Sequence, residues 1–318
     1  MVSSKIVCVS VNPAVDRRVY LDTLIPGEVN RARSSLAMPG GKAAHVAMAA
    51  RALGVEANWI GFLGGAIGEQ VESELRKLAI AVSSIRTASA TRVNLEVIED
   101  SGRITEVLEP GGQITGDEQA EFLRLFTQNL SGGWKGALVA ISGSLPPGLP
   151  PSFCGALIDI ANKAGSRVFL DTSGDALKAG IGREPNFIKP NRKEVEVLLG
   201  RSLPDLPAVV TAAREIISRG AGSVAITLGA EGVLWLESKS GPAWYAQPPR
   251  LKAISTVGCG DTTLAGFAYA ALRGLSGGEA LRFATACGAA NCLAELEGRI
   301  SLSDVQSLIP KVTIKSLG

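Results

Sequence analysis

The sequence predicts an α/β protein with a mostly parallel central sheet and a small β lid. Three observations lead there. Short apolar runs alternate with helical ones along most of the 318 residues, the pattern of right-handed βαβ units. The composition suits an aliphatic core with tight turns: 46% of residues are hydrophobic, and 37 glycines stand against 8 Phe, 4 Trp and 3 Tyr. The phrases with most chemical character, among them Asn12-Pro13, Ser142-Gly143-Ser144, Lys189-Pro190-Asn191 and Thr227-Leu228-Gly229, fall where strands end. Ligands of parallel sheets bind beyond the carboxyl ends of the strands.

Residues 6–11 (IVCVSV) form the first predicted strand. A helix of small residues follows over 41–53, then a strand over 57–63 and a helix over 69–78. Residues 137–142 and 167–171 are strands with the helix 153–163 between them. Residues 187–189 make a short strand that feeds the helix 192–199. Residues 208–219 are helical, 223–228 and 232–237 are strands, and 262–273 and 278–296 are helices. Two stretches break the alternation. Residues 19–36 are polar and turn-rich around Pro26-Gly27. Residues 91–108 alternate as RVNLEVI, turn at Asp100-Ser101-Gly102 and resume, which reads as a hairpin. They predict lid excursions over about 17–36 and 91–109 of a single domain spanning 1–318, because no repeat, low-complexity tract or long linker divides the chain.

The formal charge of +2 and the absence of basic runs argue against nucleic acid as a partner. A single histidine, His45, argues against a transition-metal site. The five cysteines contain no Cys-x-x-Cys pair and sit mostly in apolar runs, so buried free thiols are expected. Without a secretory pattern or an apolar run of spanning length, a reducing, cytoplasmic location away from the membrane is expected.

The most informative stretch is Ser255-Thr256-Val257-Gly258-Cys259-Gly260-Asp261-Thr262. Glycines at 258 and 260 let the backbone turn tightly and leave its N–H groups open to an anion. A helix begins there and adds the positive end of its dipole. Asp261 then stands where an attacking hydroxyl would need a base. Alone, the phrase reads equally well as a helix cap. Met38-Pro39-Gly40-Gly41-Lys42 permits close approach of a ligand, or simply turns into a helix. Asp16 could accept hydrogen bonds from sugar hydroxyls. Asn191 and Glu194 open a helix, either as its cap or, through waters, on a magnesium ion carried by ATP. Thr227, Gly229 and Gly232 form a turn able to border a nucleotide. The planar guanidinium of Arg92 suits a phosphate or carboxylate.

The order and spacing of these phrases resemble the PfkB branch of the ribokinase-like carbohydrate kinases over nearly the whole chain. The resemblance rests on Asn-Pro-x-x-x-Asp, Gly-Gly-Lys, Ser142-Gly143-Ser144-Leu145-Pro146-Pro147-Gly148, Lys-Pro-Asn-x-x-Glu, Leu-Gly-x-x-Gly and Thr-Val-Gly-x-Gly-Asp, taken jointly. The Ser-Gly-Ser-Leu-Pro-Pro-Gly phrase and Gly27-Glu28-Val29-Asn30-Arg31 are similar to its sugar-phosphate subgroup. That subgroup contains 1-phosphofructokinases, tagatose-6-phosphate kinases and minor 6-phosphofructokinases, and the first of these is the most similar.

The resemblance implies a ribokinase-like three-layer αβα sandwich and ATP-dependent transfer to a hydroxyl of a ketohexose phosphate. It implies Asp261 as general base and the amides of Gly258, Cys259 and Gly260 as the anion hole. Asp16, Gly40, Gly41, Lys42, His45 and Ser142 would serve the sugar, and Arg92 with Arg31 its phosphate. Lys189, Asn191, Glu194, Thr227, Gly229, Gly232, Thr256 and Asn291 would serve ATP, with Mg²⁺ at Glu194 and Asn191 through water. A monovalent cation and a homodimer formed through the lids also belong to the pattern. The chain departs from it at His45, where relatives carry Asn, at Ala43, where they carry Gly, and at Cys259, where they carry Ala. Competing readings are a kinase for an unphosphorylated sugar or nucleoside, opposed by Arg92, and a catalytically silent sensor, opposed by the intact Gly-x-Gly-Asp. A dinucleotide oxidoreductase would need Gly-x-Gly-x-x-Gly after the first strand.

Overall fold

The computed structural model describes residues 5–317. Its first half runs β1 (Lys5–Ser10), β2 (Ala14–Leu21), β3 (Ser34–Gly40), α1 (Lys42–Ala52), β4 (Glu56–Leu63), α2 (Gly65–Lys77), β5 (Ala81–Arg86), β6 (Arg92–Glu99), β7 (Ile104–Leu108), α3 (Gly116–Ser131), β8 (Leu138–Ser142) and α4 (Ser152–Lys163). It continues with β9 (Val168–Asp171), α5 (Gly174–Ile181), β10 (Phe187–Ile188), α6 (Arg192–Leu199), α7 (Leu206–Ser218), β11 (Val224–Thr227), β12 (Val233–Leu236) and β13 (Ala243–Gln247). Helices α8 (Cys259–Arg273), α9 (Gly277–Asn291) and α10 (Leu302–Leu308) and strand β14 (Thr313–Leu317) complete it.

Ten strands form one sheet in the order β14-β13-β12-β11-β10-β9-β8-β1-β4-β5. From β11 through β5 every pairing is parallel, whereas β11 to β14 pair antiparallel. The parallel strands read as continuous Val/Ile/Leu runs because both faces are covered. One apolar cluster packs α1, α2, α8, α9 and α10 on one face, and a second packs α3, α4, α5 and α7 on the other. This is the expected αβα sandwich. The order reverses between β1 and β8: β4 and β5 lie to one side, β8 to β11 to the other. Such a switch point opens a crevice beyond the strand ends.

A second sheet, ordered β3-β2-β6-β7, leaves the main sheet directly from the end of β1. The lid therefore begins at Ala14 and its first arm closes at Gly40, wider than the 17–36 read from the sequence. The polar look of β2 misleads because Arg18 is buried. It pairs with Glu96 at 3.0 Å and with Glu297, and donates to the Glu295 carbonyl. A buried charge persists when it is paired, and here it ties the lid to the loop after α9. The hairpin β6–β7 matches the sequence reading.

Other boundaries shift for local reasons. Helix α8 begins at Cys259 rather than 262, directly after Gly258 in the left-handed region at φ 75°. Helix α9 stops at Asn291 rather than 296 because the Asn291 side chain turns to bond two loops. Strands β5, β13 and β14 and helices α3, α5 and α10 were not read from the sequence. No helix among the described residues is long and apolar enough to cross a membrane.

Candidate active site

The crevice collects side chains from both sheets and from helices α1, α6 and α8. Asp261 lies in the first turn of α8, follows the bare peptide of Gly258 and Gly260, and is 6% exposed. A Cβ at position 258 would lie 2.9 Å from the Glu297 side chain, and the positive φ is strained for any other residue. A Cβ at position 260 would lie 3.2 Å from Lys189 Nζ. The Lys189 ammonium group therefore lies against the bare backbone of this turn.

Asp171 ends β9, next to Ser142 in register, and is buried. It holds two lysines: Lys42 Nζ lies 2.9 Å from its Oδ1 and Lys189 Nζ 2.9 Å from its Oδ2. Burial opposes the Asp171 charge, but the two ammonium groups outweigh it and lower its pKa. Burial also opposes the charge of Lys42, yet Asp171, Asp261 and Glu194 raise its pKa, so it stays cationic. Sequence reasoning missed Asp171. The available signal was an acid closing a Val-Phe-Leu run at a parallel strand end, the position of the other candidates.

His45, on the inner face of α1, joins two carboxylates. Its Nδ1 lies 2.8 Å from Asp261 Oδ2 and its Nε2 2.9 Å from Asp16 Oδ2. Burial disfavours the imidazolium, but the hydrogen bonds and charges of Asp16 and Asp261 push its pKa up to about 10. Asp16 in turn accepts from Asn94 Nδ2 at 2.8 Å and from the Gly41 amide at 3.3 Å. Against the cost of burial, His45 leads these partners in holding its pKa below the usual carboxylate range. Gly40 makes the arrangement possible, since a Cβ there would fall 2.2 Å from Asp16 Cγ. Asn94 was the second residue the sequence reading missed; it faces inward from β6, in register with Asp16.

The remaining candidates divide. Asn191 and Glu194 form a reciprocal cap on α6: Asn191 Oδ1 accepts from the Glu194 amide at 2.9 Å and Glu194 Oε2 from the Asn191 amide at 2.7 Å. Glu194 Oε1 lies 3.9 Å from Lys42 Nζ. Among the described residues no group of three or more His, Cys, Asp or Glu could hold a metal. The donor set therefore fits Mg²⁺ only as an ion that arrives on a triphosphate and keeps most of its waters. Thr227 bridges to Asn191, and Gly229 and Gly232 turn at φ 62° and 127°. Asn291, buried at the end of α9, donates to the Val257 carbonyl at 2.7 Å and accepts from the Gly298 amide at 2.9 Å. It fixes the loop before α8 from behind. Thr256 is exposed, and its carbonyl accepts from the Cys259 amide at 3.4 Å.

Arg92 is partly engaged. Its guanidinium donates to the carbonyls of Glu109 at 2.6 Å and Asn12 at 3.0 Å, while Nε has no partner. It lines a cleft with Asn12, Thr87, Ser89 and Gly112. The Ser142 hydroxyl is also buried without a partner, a group that usually awaits water or ligand. The structure does not bring Arg31 to this group: it is exposed on the loop between β2 and β3.

Comparison with known proteins gives the family. Residues 4–301 match the family model described as pfkB family carbohydrate kinase. The chain is 33% identical to the 1-phosphofructokinase of Vibrio cholerae over 307 residues, 96% of this chain and 94% of that one. Its fold is similar to phosphofructokinase-2 from Escherichia coli in complex with potassium, with a TM-score of 0.90 and 31% identity over 98% of this chain and 99% of that one. The tetrameric inhibited form of the same enzyme gives a TM-score of 0.89 at the same identity and coverage.

Proposed function

The chain belongs to the PfkB family of carbohydrate kinases, and from that premise we propose that it transfers the terminal phosphoryl group of ATP to a hydroxyl of a ketohexose phosphate, with fructose 1-phosphate as the preferred acceptor. One observation carries the reading: the buried Asp261 carboxylate sits in the first turn of α8, with Lys189 against Gly260 and Lys42 and Lys189 both held by Asp171. Phosphoryl transfer depends mainly on positioning and charge stabilisation.

In this reading Asp261 removes the proton of the acceptor hydroxyl. The amides of Gly258, Cys259 and Gly260 donate to the charge that develops, each such donor contributing roughly 3 kcal/mol. Lys42 and Lys189 add positive charge on the same side. Mg²⁺ bound to ATP would neutralise triphosphate charge, with Glu194 and Asn191 reaching it through water. Thr227, Gly229, Gly232 and Thr256 border the nucleotide, and Asn291 holds the loop that carries Thr256. Asp16, set by Gly40, Gly41 and Asn94, accepts from sugar hydroxyls, with His45 and Ser142 beside it. Arg92 receives the substrate's phosphate, and Arg31 joins when the lid closes and excludes water.

The lid exposes Ile25, Val29, Leu36, Val107 and Leu108. Exposed apolar surface of this kind marks an interaction face, and it supports a homodimer formed through the lids. A silent sugar sensor is the second reading, favoured by the His45 contact with Asp261 Oδ2. A coupled ADP-release assay with fructose 1-phosphate, fructose 6-phosphate, tagatose 6-phosphate and fructose, in potassium and in its absence, tests both. The highest kcat/KM is expected for fructose 1-phosphate. Another preferred acceptor would overturn the substrate assignment, and no ADP release with any of them would leave the sensor.

A further inference from the structure

The proposed reaction leaves two half-buried thiols unused at its centre. Cys259 opens α8 inside the Gly258–Gly260 turn, and Cys292 caps the end of α9. Their Sγ atoms are 3.0 Å apart, within hydrogen-bond reach of each other; Asn291 Nδ2 lies 3.5 Å from the Cys259 sulfur, and the Cys292 sulfur lies 3.7 Å from the Gly288 carbonyl. The other three cysteines, Cys8, Cys154 and Cys287, are buried, and burial alone raises their thiols. Only Cys259 and Cys292 combine mutual reach with partial exposure.

We infer that Cys259 and Cys292 form an oxidation site for a hydroperoxide, whose product, an intramolecular disulfide, closes the phosphoryl pocket. The effect on turnover rests on the reading proposed above; formation of the bond does not.

The chemistry has a direction. The hydrogen bond from Cys259 lowers the Cys292 pKa against the effect of burial. Cys259 is raised by that same hydrogen bond, by burial and by the charges of Cys292 and Asp261. Either sulfur can donate across the 3.0 Å contact; with Cys259 as donor, Cys292 is the sulfur that becomes the nucleophilic thiolate. It attacks one peroxide oxygen, the O–O bond breaks, and the leaving hydroxide takes a proton and departs as water. The Cys259 sulfur, losing its proton, then attacks the sulfenic sulfur of Cys292, and the S–O bond breaks to release a second water. Two thiols and one hydrogen peroxide give one disulfide and two waters.

The geometry also says why the bond would matter. A disulfide needs its sulfurs about 2.05 Å apart, so the pair must close by roughly 1 Å. The Cys259 carbonyl accepts from Thr262 Oγ1 at 3.0 Å and Thr263 Oγ1 at 2.7 Å, and Asn291 donates to Val257 at 2.7 Å. Movement of Cys259 thus pulls on the peptide whose amides face the transferred group. A misplacement of about 1 Å at such a centre can cost about a hundredfold in rate.

The test treats the full chain with hydrogen peroxide, traps remaining thiols by alkylation and maps linked peptides by mass spectrometry, with activity measured before and after. A Cys259–Cys292 peptide and at least a tenfold loss of ADP release are expected, both reversed by dithiothreitol. Cys292→Ser should retain its activity under the same treatment. Absence of the linked peptide overturns the site. A linked peptide with unchanged activity overturns closure of the pocket, as does equal inactivation of Cys292→Ser. Should that variant fail to fold, reversal of the wild-type loss by dithiothreitol, in step with loss of the linked peptide, decides the same question. If the reduced enzyme releases no ADP from any sugar phosphate, the kinase reading fails, and loss of ATP binding in the oxidised protein decides closure instead.

Discussion

Replacing His45 by Asn removes the cation between Asp16 and Asp261. An amide is shorter, uncharged and unable to serve both carboxylates as an imidazolium does. A pKa carried from the ordinary 6.5 to about 10 corresponds to roughly 5 kcal/mol. Breaking a buried ion pair typically costs about 3–5 kcal/mol, an independent route to the same range. The sign follows from linkage: the folded pKa lies above the unfolded one, so the stabilisation is complete below about pH 6.5 and disappears as the pH rises through about 10. Asp16 is held below the usual carboxylate range, so it stays ionised across that window. Denaturant unfolding of wild type and His45→Asn at pH 6, 8 and 10 reads the difference directly. The gap should be about 3–5 kcal/mol at pH 6 and shrink steadily toward pH 10. A gap that does not change with pH would refute the imidazolium bridge.

Three further outcomes follow from the same site. Asp261→Asn should lower kcat by about 10²- to 10⁴-fold, with ATP affinity nearly intact by calorimetry; unchanged turnover would remove Asp261 as the base. Arg92→Ala should raise KM for the sugar phosphate by about tenfold or more, as loss of a charge-assisted contact does, and leave KM for ATP alone. An unaltered sugar-phosphate KM would place the phosphate elsewhere. Asp171→Asn strands two ammonium groups next to each other and should destabilise the fold by about 3–5 kcal/mol at neutral pH. Because the Asp171 pKa is lowered in the fold, the stabilisation it gives is present at neutral pH and is lost as the pH falls through its folded pKa. The variant's deficit should therefore persist down to the ordinary carboxylate value of 3.8 and narrow below it, and unfolding curves at pH 7 and pH 2 check it.

What was legible in the sequence follows the range of the interaction that decides each feature. The cap of α6 is a contact between Asn191 and Glu194, three residues apart, and α6 was read with its observed bounds. The parallel strands were found because burial on both faces leaves a continuous apolar run, with no partner needed to recognise it. Strand β2 was missed where that logic inverts. Arg18 looks like surface, but Glu96 and Glu297, 78 and 279 residues further along, make it interior. Helix α3 buries only Phe122, Phe126 and Leu130, and so narrow a stripe is easily lost among charges.

The site obeys the same division. The turn at Gly258, the acid at 261 and the Gly40-Gly41 pair were legible because backbone geometry is written locally. Asp171 was not, since its meaning lies in Lys42 and Lys189, and Lys42 arrives from the other side of the switch point. Nor could the sequence show that His45 touches Asp16 and Asp261 at once, because α1, β2 and α8 meet only in the folded chain. The resemblance implies an amide where this chain has His45, a group that can carry charge, so the change adds electrostatic coupling between Asp16, proposed to bind the sugar, and the proposed base. The residue expected to serve the sugar therefore also sets the charge balance between Asp16 and Asp261.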